Sequence, residues 1–194
     1  MIGIFLDRDG VINEDAEYVL RMEDVRFSPR SLDALALLNQ VLPRDEARVI
    51  IVTNQSGLGR GMCTPQEFAL FTGQYFEALR DQSGGRARID DYLYCPHHPT
   101  AGVGEYRIDC ACRKPKPGML LEAKRRHGID LQKSYLVGDR MRDIMAGQAA
   151  GCYSILVESG SGPAPEIDGD ITPDAICADL YDATALILER VKNS

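Results

Sequence analysis

The sequence lacks an excess of positive charge, a long apolar run and any repeat or low-complexity tract. Twenty-two basic against twenty-nine acidic side chains leave a net charge of −7 over 194 residues. Nucleic acid and membrane surfaces are polyanions that ask for a basic face, so both are excluded as expected partners. The longest apolar runs, Ile2–Leu6 and Val49–Val52, fall far short of the ~20 residues a bilayer needs. Met1 leads straight into a strand-like run, with no basic leader and no long hydrophobic segment behind it. The expectation is a cytoplasmic, monomeric protein acting on a small molecule. Nothing resembling an interdomain linker appears, so residues 1–194 read as one domain.

Six cysteines are present. In a chain long enough to bury its own core they read as reduced thiols or metal ligands rather than as a disulfide framework. Cys63, Cys152 and Cys177 lie scattered in apolar or helical stretches and read as small core residues. Cys95, Cys110 and Cys112 lie close together.

Short apolar runs alternate with helical patterns, which predicts an α/β fold with a mostly parallel sheet between helical layers. Strands are expected at Ile2–Leu6, Arg48–Val52, Tyr92–Tyr94, Ser134–Val137 and Cys152–Val157. Helices are expected after Ser28-Pro29, after the capping box Thr64-Pro65-Gln66-Glu67, from Pro117 to Gly128, from Arg140 to Ala150 and from Asp179 to Val191. Ser159 to Pro173, rich in Gly, Pro and Asp, reads as a surface loop.

Three of these strands end in unusual chemistry. Asp7-Arg8-Asp9-Gly10 follows the first, Thr53-Asn54-Gln55-Ser56-Gly57 closes the second, and Gly138-Asp139 follows the fourth. Ligand sites in parallel sheets lie off these carboxyl ends. Asp7 and Asp9, two positions apart, project the same way and repel unless a cation or proton lies between them. A hard cation such as Mg²⁺ resolves that conflict and leaves room for a phosphate. One carboxylate is then free to attack phosphorus while the other handles protons. Thr53 and the donor-rich Asn54–Gly61 segment suit phosphoryl oxygens, and Lys114 can neutralise transferring charge. Asp139 offers another oxygen ligand, with Asp143 one helical turn on. Taken singly, the acidic pair is also a plausible turn, Lys114 a surface charge and Asp139 a helix cap; their convergence argues for a site.

Phe5-Leu6-Asp7-Arg8-Asp9-Gly10-Val11-Ile12-Asn13 resembles the first motif of the haloacid dehalogenase (HAD) superfamily of phosphohydrolases. Thr53-Asn54 resembles its second motif, Lys114 its third, and Val137-Gly138-Asp139 with Asp143 its fourth. Asn54-Gln55-Ser56-Gly57, Cys95-Pro96-His97-His98-Pro99 and Cys110-Ala111-Cys112-Arg113-Lys114-Pro115 narrow the likeness to the D,D-heptose 1,7-bisphosphate 7-phosphatase branch, beside the histidinol-phosphate phosphatases. The resemblance implies a HAD-like Rossmannoid three-layer sandwich without a large cap domain. It implies removal of the C7 phosphate of a heptose bisphosphate through an aspartyl-phosphate on Asp7, with Asp9 as general acid and base. Asp7, the Asp9 carbonyl and Asp139 would hold Mg²⁺, and Thr53 and Lys114 would steady the phosphoryl group. Asp15, Ala16, Glu17, Tyr18, Asn54, Gln55, Ser56 and Arg113 would line the substrate pocket. Arg140 stands where lysine is common in the family, as a cation for the distal phosphate. Histidinol phosphate or another small phosphomonoester is the alternative substrate, and a non-catalytic zinc-stapled module the remote one.

Three thiols and an imidazole on one loop suit a closed, tetrahedral, structural Zn²⁺ site. Spacing admits His97 or His98 beside Cys95, Cys110 and Cys112; the family resemblance favours His97. The loop, about residues 95–117, would cover the site. His127 reads as a cation at a helix C-terminus.

Overall fold

The structure is a computed structural model that describes residues 1–16, 18–160 and 171–193. Its strands are β1 (Ile2–Leu6), β2 (Ala47–Asn54), β3 (Asp91–Cys95), β4 (Tyr135–Gly138), β5 (Tyr153–Val157) and β6 (Ala175–Cys177). Its α-helices are α1 (Ser31–Val41), α2 (Ser56–Gly59), α3 (Pro65–Gln82), α4 (Gly118–His127), α5 (Met141–Ala150) and α6 (Leu180–Lys192). The strands form one sheet in the order β3-β2-β1-β4-β5-β6, with every pairing parallel.

A parallel sheet covered on both faces needs strands that are apolar on both faces. Ile4 and Leu6 of β1 point into a core shared with Leu35 and Leu38 of α1, Phe71 and Tyr75 of α3, and Ile187 of α6. Phe5, between them, points into a second core with Leu120 and Ala123 of α4 and Ala146 of α5. The sheet is therefore the middle of three layers, as the resemblance implies. Sequential strands run outward from β1 on one side; the chain then returns to β4 on the other. That reversal opens a crevice at the carboxyl ends of β1 and its neighbours, where a parallel sheet places its ligand.

Local signals act as expected in the helices. Thr64 Oγ1 accepts from the Glu67 amide at 3.2 Å and Glu67 Oε2 accepts from the Thr64 amide at 2.8 Å, so the capping box is complete. Pro117 is the cap residue of α4, and Asp179 accepts from the Tyr181 and Asp182 amides at the start of α6. β2 runs two residues beyond its expected end, since pairing with β3 continues to Asn54 opposite Cys95. β6 was not expected, and its three residues pair with Ile155 to Val157. The expected loop Ser159 to Pro173 lies mostly outside the described residues. No helix among the described residues is long and apolar enough to cross a membrane.

Candidate active site and metal centres

The end of β1 delivers Asp7 to the crevice almost fully buried. Its Oδ1 accepts from the Arg8 amide at 2.7 Å, and its Oδ2 lies 2.9 Å from Lys114 Nζ. Lys114 is itself buried; it donates to the Val52 carbonyl at 2.7 Å and lies 2.7 Å from Asp143 Oδ1. The ammonium thus stands between two carboxylates. Burial works against charge on Asp7, but Lys114 and Arg142 hold its carboxyl below the ordinary value. Against the same burial, Asp143 and Asp7 push the Lys114 ammonium up. Asp143 goes the other way: burial outweighs Lys114 and raises its carboxyl.

Asp139 is the unsatisfied member. Arg140 Nε lies 3.0 Å from its Oδ2 without the alignment of a hydrogen bond, so both buried carboxylate oxygens are left without a donor among the described residues. Burial first, then the charges of Asp7 and Asp143, push its carboxyl up to about 7. Carboxylate oxygens of Asp7, Asp139 and Asp143 lie within 4.8 Å of one another. Gly10, at φ 83°, and Gly160 press their backbones against the Asp139 carboxylate, where a Cβ on either would clash. An orphaned buried carboxylate in a cluster of hard oxygen donors, with space kept clear around it, fits a small divalent cation.

Asp9 lies apart from that cluster. Its Oδ1 accepts from Arg8 Nε at 3.0 Å and Asn13 Nδ2 at 2.9 Å; its Oδ2 accepts from Arg8 Nη2 at 2.8 Å and Gln55 Nε2 at 2.9 Å. Gln55 also donates to Thr53 Oγ1 at 3.0 Å, tying the ends of β1 and β2 together. Asn54 bonds the Lys114 backbone in both directions at 3.1 Å and so fixes the segment that carries the lysine.

Above this network lies a cleft of about 270 Å³. Asp7, Asp9, Asp15, Ala16, Tyr18, Thr53, Asn54, Gln55, Ser56 and Arg113 line it, all of them expected from the sequence. Lys114 and Asp139 lie beneath it. Arg140 does not line it: its Nη2 bonds Asp15 Oδ2 at 2.7 Å. Glu17 lies outside the described residues. Arg60 and Arg142 also line the cleft, and sequence reasoning did not single them out. Arg60 belongs to the donor-rich stretch that was noted as a whole; for Arg142 no sequence signal preferred it over Arg140.

The Cys/His loop closes on itself. Cys112 Sγ lies 3.1 Å from Cys110 Sγ and 3.2 Å from Cys95 Sγ, and His97 Nδ1 lies 3.4 Å from Cys112 Sγ. Burial and the neighbouring sulfurs push the Cys95 thiol up. Three thiols and one imidazole converging on a point fit a tetrahedral soft-metal site. The geometry separates the two histidines, since His98 Nδ1 accepts from the Ala101 amide at 3.0 Å instead. Arg113 Nη1 donates to the His97 carbonyl at 2.9 Å, which links this loop to the cleft. Cys152 is a buried core residue, as expected, and Cys63 and Cys177 pack against the core. His127 does sit at the end of α4, with Nε2 2.7 Å from Asp91 Oδ2.

A HAD-hydrolase-like family model matches residues 111–183. The chain is 40% identical to D-glycero-beta-D-manno-heptose-1,7-bisphosphate 7-phosphatase of Escherichia coli (strain K12), over 98% of this chain and 95% of that one. It is 38% identical to a D-glycero-alpha-D-manno-heptose-1,7-bisphosphate 7-phosphatase of Photorhabdus laumondii, over 80% of this chain and 82% of that one. Among solved structures, D,D-heptose 1,7-bisphosphate phosphatase from B. bronchiseptica, complexed with magnesium and phosphate, superposes with a TM-score of 0.83 at 35% identity, covering 98% of this chain and 99% of that one. The four motifs, the Cys/His loop and the full-length likeness together place the chain in the heptose 1,7-bisphosphate phosphatase family of the HAD superfamily.

Proposed function

We propose that the chain hydrolyses the C7 phosphate of D-glycero-D-manno-heptose 1,7-bisphosphate, with Asp7 as nucleophile. The observation that carries this reading is the buried Asp7–Lys114–Asp143 array beside the unsatisfied Asp139, at the floor of a polar cleft. Asp7 attacks phosphorus, and the bond from phosphorus to the sugar oxygen breaks as Asp9 gives that oxygen a proton. Water then attacks the aspartyl-phosphate and yields its proton to Asp9. Phosphate leaves and Asp7 is restored. Thr53 and Lys114 steady the phosphoryl group. Lys114 acts from below, and its contact with Asp7 holds that carboxylate in one orientation. Asp7, Asp139 and the Asp9 carbonyl would hold Mg²⁺, which when bound offsets the negative charge gathered by carboxylate and phosphate. Cys95, His97, Cys110 and Cys112 would hold a structural Zn²⁺, whose closed shell leaves no place for a reacting water. We read residues 1–194 as one domain working as a cytoplasmic monomer on a small phosphorylated sugar, and the net charge of −7 speaks against a nucleic-acid substrate.

The test is a Mg²⁺-dependent turnover panel over both heptose bisphosphate anomers, fructose 1,6-bisphosphate and histidinol phosphate. Preference for a heptose bisphosphate is expected; preference for histidinol phosphate would move the chain to the neighbouring branch. Asp7→Asn keeps the shape but not the attacking charge and should lower turnover by several orders of magnitude. Mass spectrometry of quenched enzyme should find phosphate on Asp7, and full activity in Asp7→Asn would refute the mechanism.

A further inference from the structure

The arginines around the cleft divide into two groups. Arg8 is spent on Asp9, and Arg140 on Asp15 and Asp139. Arg60, Arg113 and Arg142 line the cleft with no carboxylate of the described residues at ion-pair distance. Arg113 is held by the His97 carbonyl. The Arg60 guanidinium lies 5.5 Å from the Tyr18 ring, and its buried Nε has no hydrogen-bond partner. Arg142 is exposed in the first turn of α5, where the helix macrodipole disfavours a cation. Cations lining one cleft beside a nucleophile, with no carboxylate at ion-pair distance among the described residues, describe a seat for an anion.

Resting on the bisphosphate reading above, we infer that Arg142 and Arg60 complete, with Arg113, the subsite for the phosphate that stays on the substrate. Arg142 thereby takes the part that position alone assigned to Arg140, whose guanidinium is committed to Asp15 and Asp139. Planar guanidinium forks lining one cleft from separate elements can bond several phosphate oxygens at once. Arg60 comes from the end of α2, Arg113 from the metal loop and Arg142 from α5. A monophosphate substrate leaves all three without an anionic partner, so the subsite selects bisphosphates.

The experiment compares kcat/KM for a heptose 1,7-bisphosphate with that for p-nitrophenyl phosphate. Losing one charge-assisted contact should lower that ratio by about 10- to 100-fold in Arg142→Ala, chiefly through KM of the bisphosphate, and similarly in Arg60→Ala. Arg140→Ala should lower both substrates together, because it loosens Asp139 and Asp15. Calorimetry with mannose 1-phosphate gives a readout without turnover, and its dissociation constant should rise about tenfold or more in Arg142→Ala. A wild-type preference for the bisphosphate that survives intact in Arg142→Ala would overturn this inference alone. A wild-type enzyme active on p-nitrophenyl phosphate without any preference for bisphosphate would overturn the substrate reading, and the subsite with it.

Discussion

Arg8 carries its charge into the protein interior, where it is 1% exposed. Its guanidinium lies 5.3 Å from the Phe71 ring centre and 5.7 Å from that of Tyr75, and its forked nitrogens hold both Asp9 oxygens. A third bond runs from Nη2 to the Val19 carbonyl at 3.0 Å. Desolvating that charge is costly and is offset only while Asp9 stays in place, so the two side chains fix each other. Arg8→Met fits the apolar slot but strips Asp9 of its fork. It should lower stability by about 3 kcal/mol in urea unfolding and reduce turnover through a misoriented Asp9. A stable variant with wild-type kinetics would show that Gln55 and Asn13 suffice. Gly10 is a second sensitive position, since Gly10→Ala meets both a left-handed backbone and the Asp139 carboxylate. A loss of about 1–2 kcal/mol from the backbone alone is expected, with weaker Mg²⁺ binding by titration.

Asp90, just before β3, works as a clasp between strands. Its carboxylate is 2% exposed and accepts from the Val49 amide at 3.0 Å and from Arg44 Nε and Arg88 Nε, each at 2.8 Å. Burial alone would raise its carboxyl, but Arg88, the Val49 amide and Arg44 hold it below the ordinary 3.8. A carboxyl depressed in the folded state stabilises above its unfolded value, and that contribution is lost as pH falls through the folded value. Unfolding free energy should therefore fall as pH drops below about 4, and Asp90→Asn should flatten that decline and lower stability at neutral pH. Equal acid slopes in wild type and variant would dismiss the clasp. The Cys/His loop is a different kind of element, held by the proposed zinc site and by a few backbone bonds such as Gln55 N–H to the Cys95 carbonyl at 2.8 Å and Val103 N–H to the Gly59 carbonyl at 2.8 Å. Cys110→Ser should lose zinc and expose residues 95–117 to protease while the sheet stays folded. Because Arg113 hangs from the His97 carbonyl, discrimination between substrates should fall too. Intact zinc content or unchanged proteolysis in that variant would refute the role. These elements were unequally legible. Strands apolar on both faces, such as β1, announce themselves, and so do helices with a capping box or a terminal glycine. β6 did not, because Ala175-Ile176-Cys177 has too few residues for a period and a half-exposed Ile176; β5 makes it a strand.

At the scale of the whole molecule, the residues proposed for catalysis were legible because parallel-sheet topology assigns strand ends to the site. Asp7, Thr53 and Asp139 stood out because three strand ends converge, each being ambiguous when taken singly. The orientation of long side chains was not readable, since it depends on partners remote in sequence: Arg140 is claimed by Asp15, 125 positions away, and Arg142 inherits the cleft. His97 and His98 posed the same problem until the loop backbone took one of them. The packing of Asp139 beside the Asp7–Lys114–Asp143 array has a consequence beyond catalysis. The folded chain gathers three carboxyl groups at this point, whereas the unfolded chain disperses them. A divalent ion that binds only the folded form stabilises it by mass action, by about 2.7 kcal/mol at a hundred times its dissociation constant. Melting temperature should therefore climb with Mg²⁺ concentration and lose that dependence in Asp139→Asn, measured by calorimetry in chelexed buffer. The resistance of this protein to unfolding thus becomes a gauge of the free divalent ion around it.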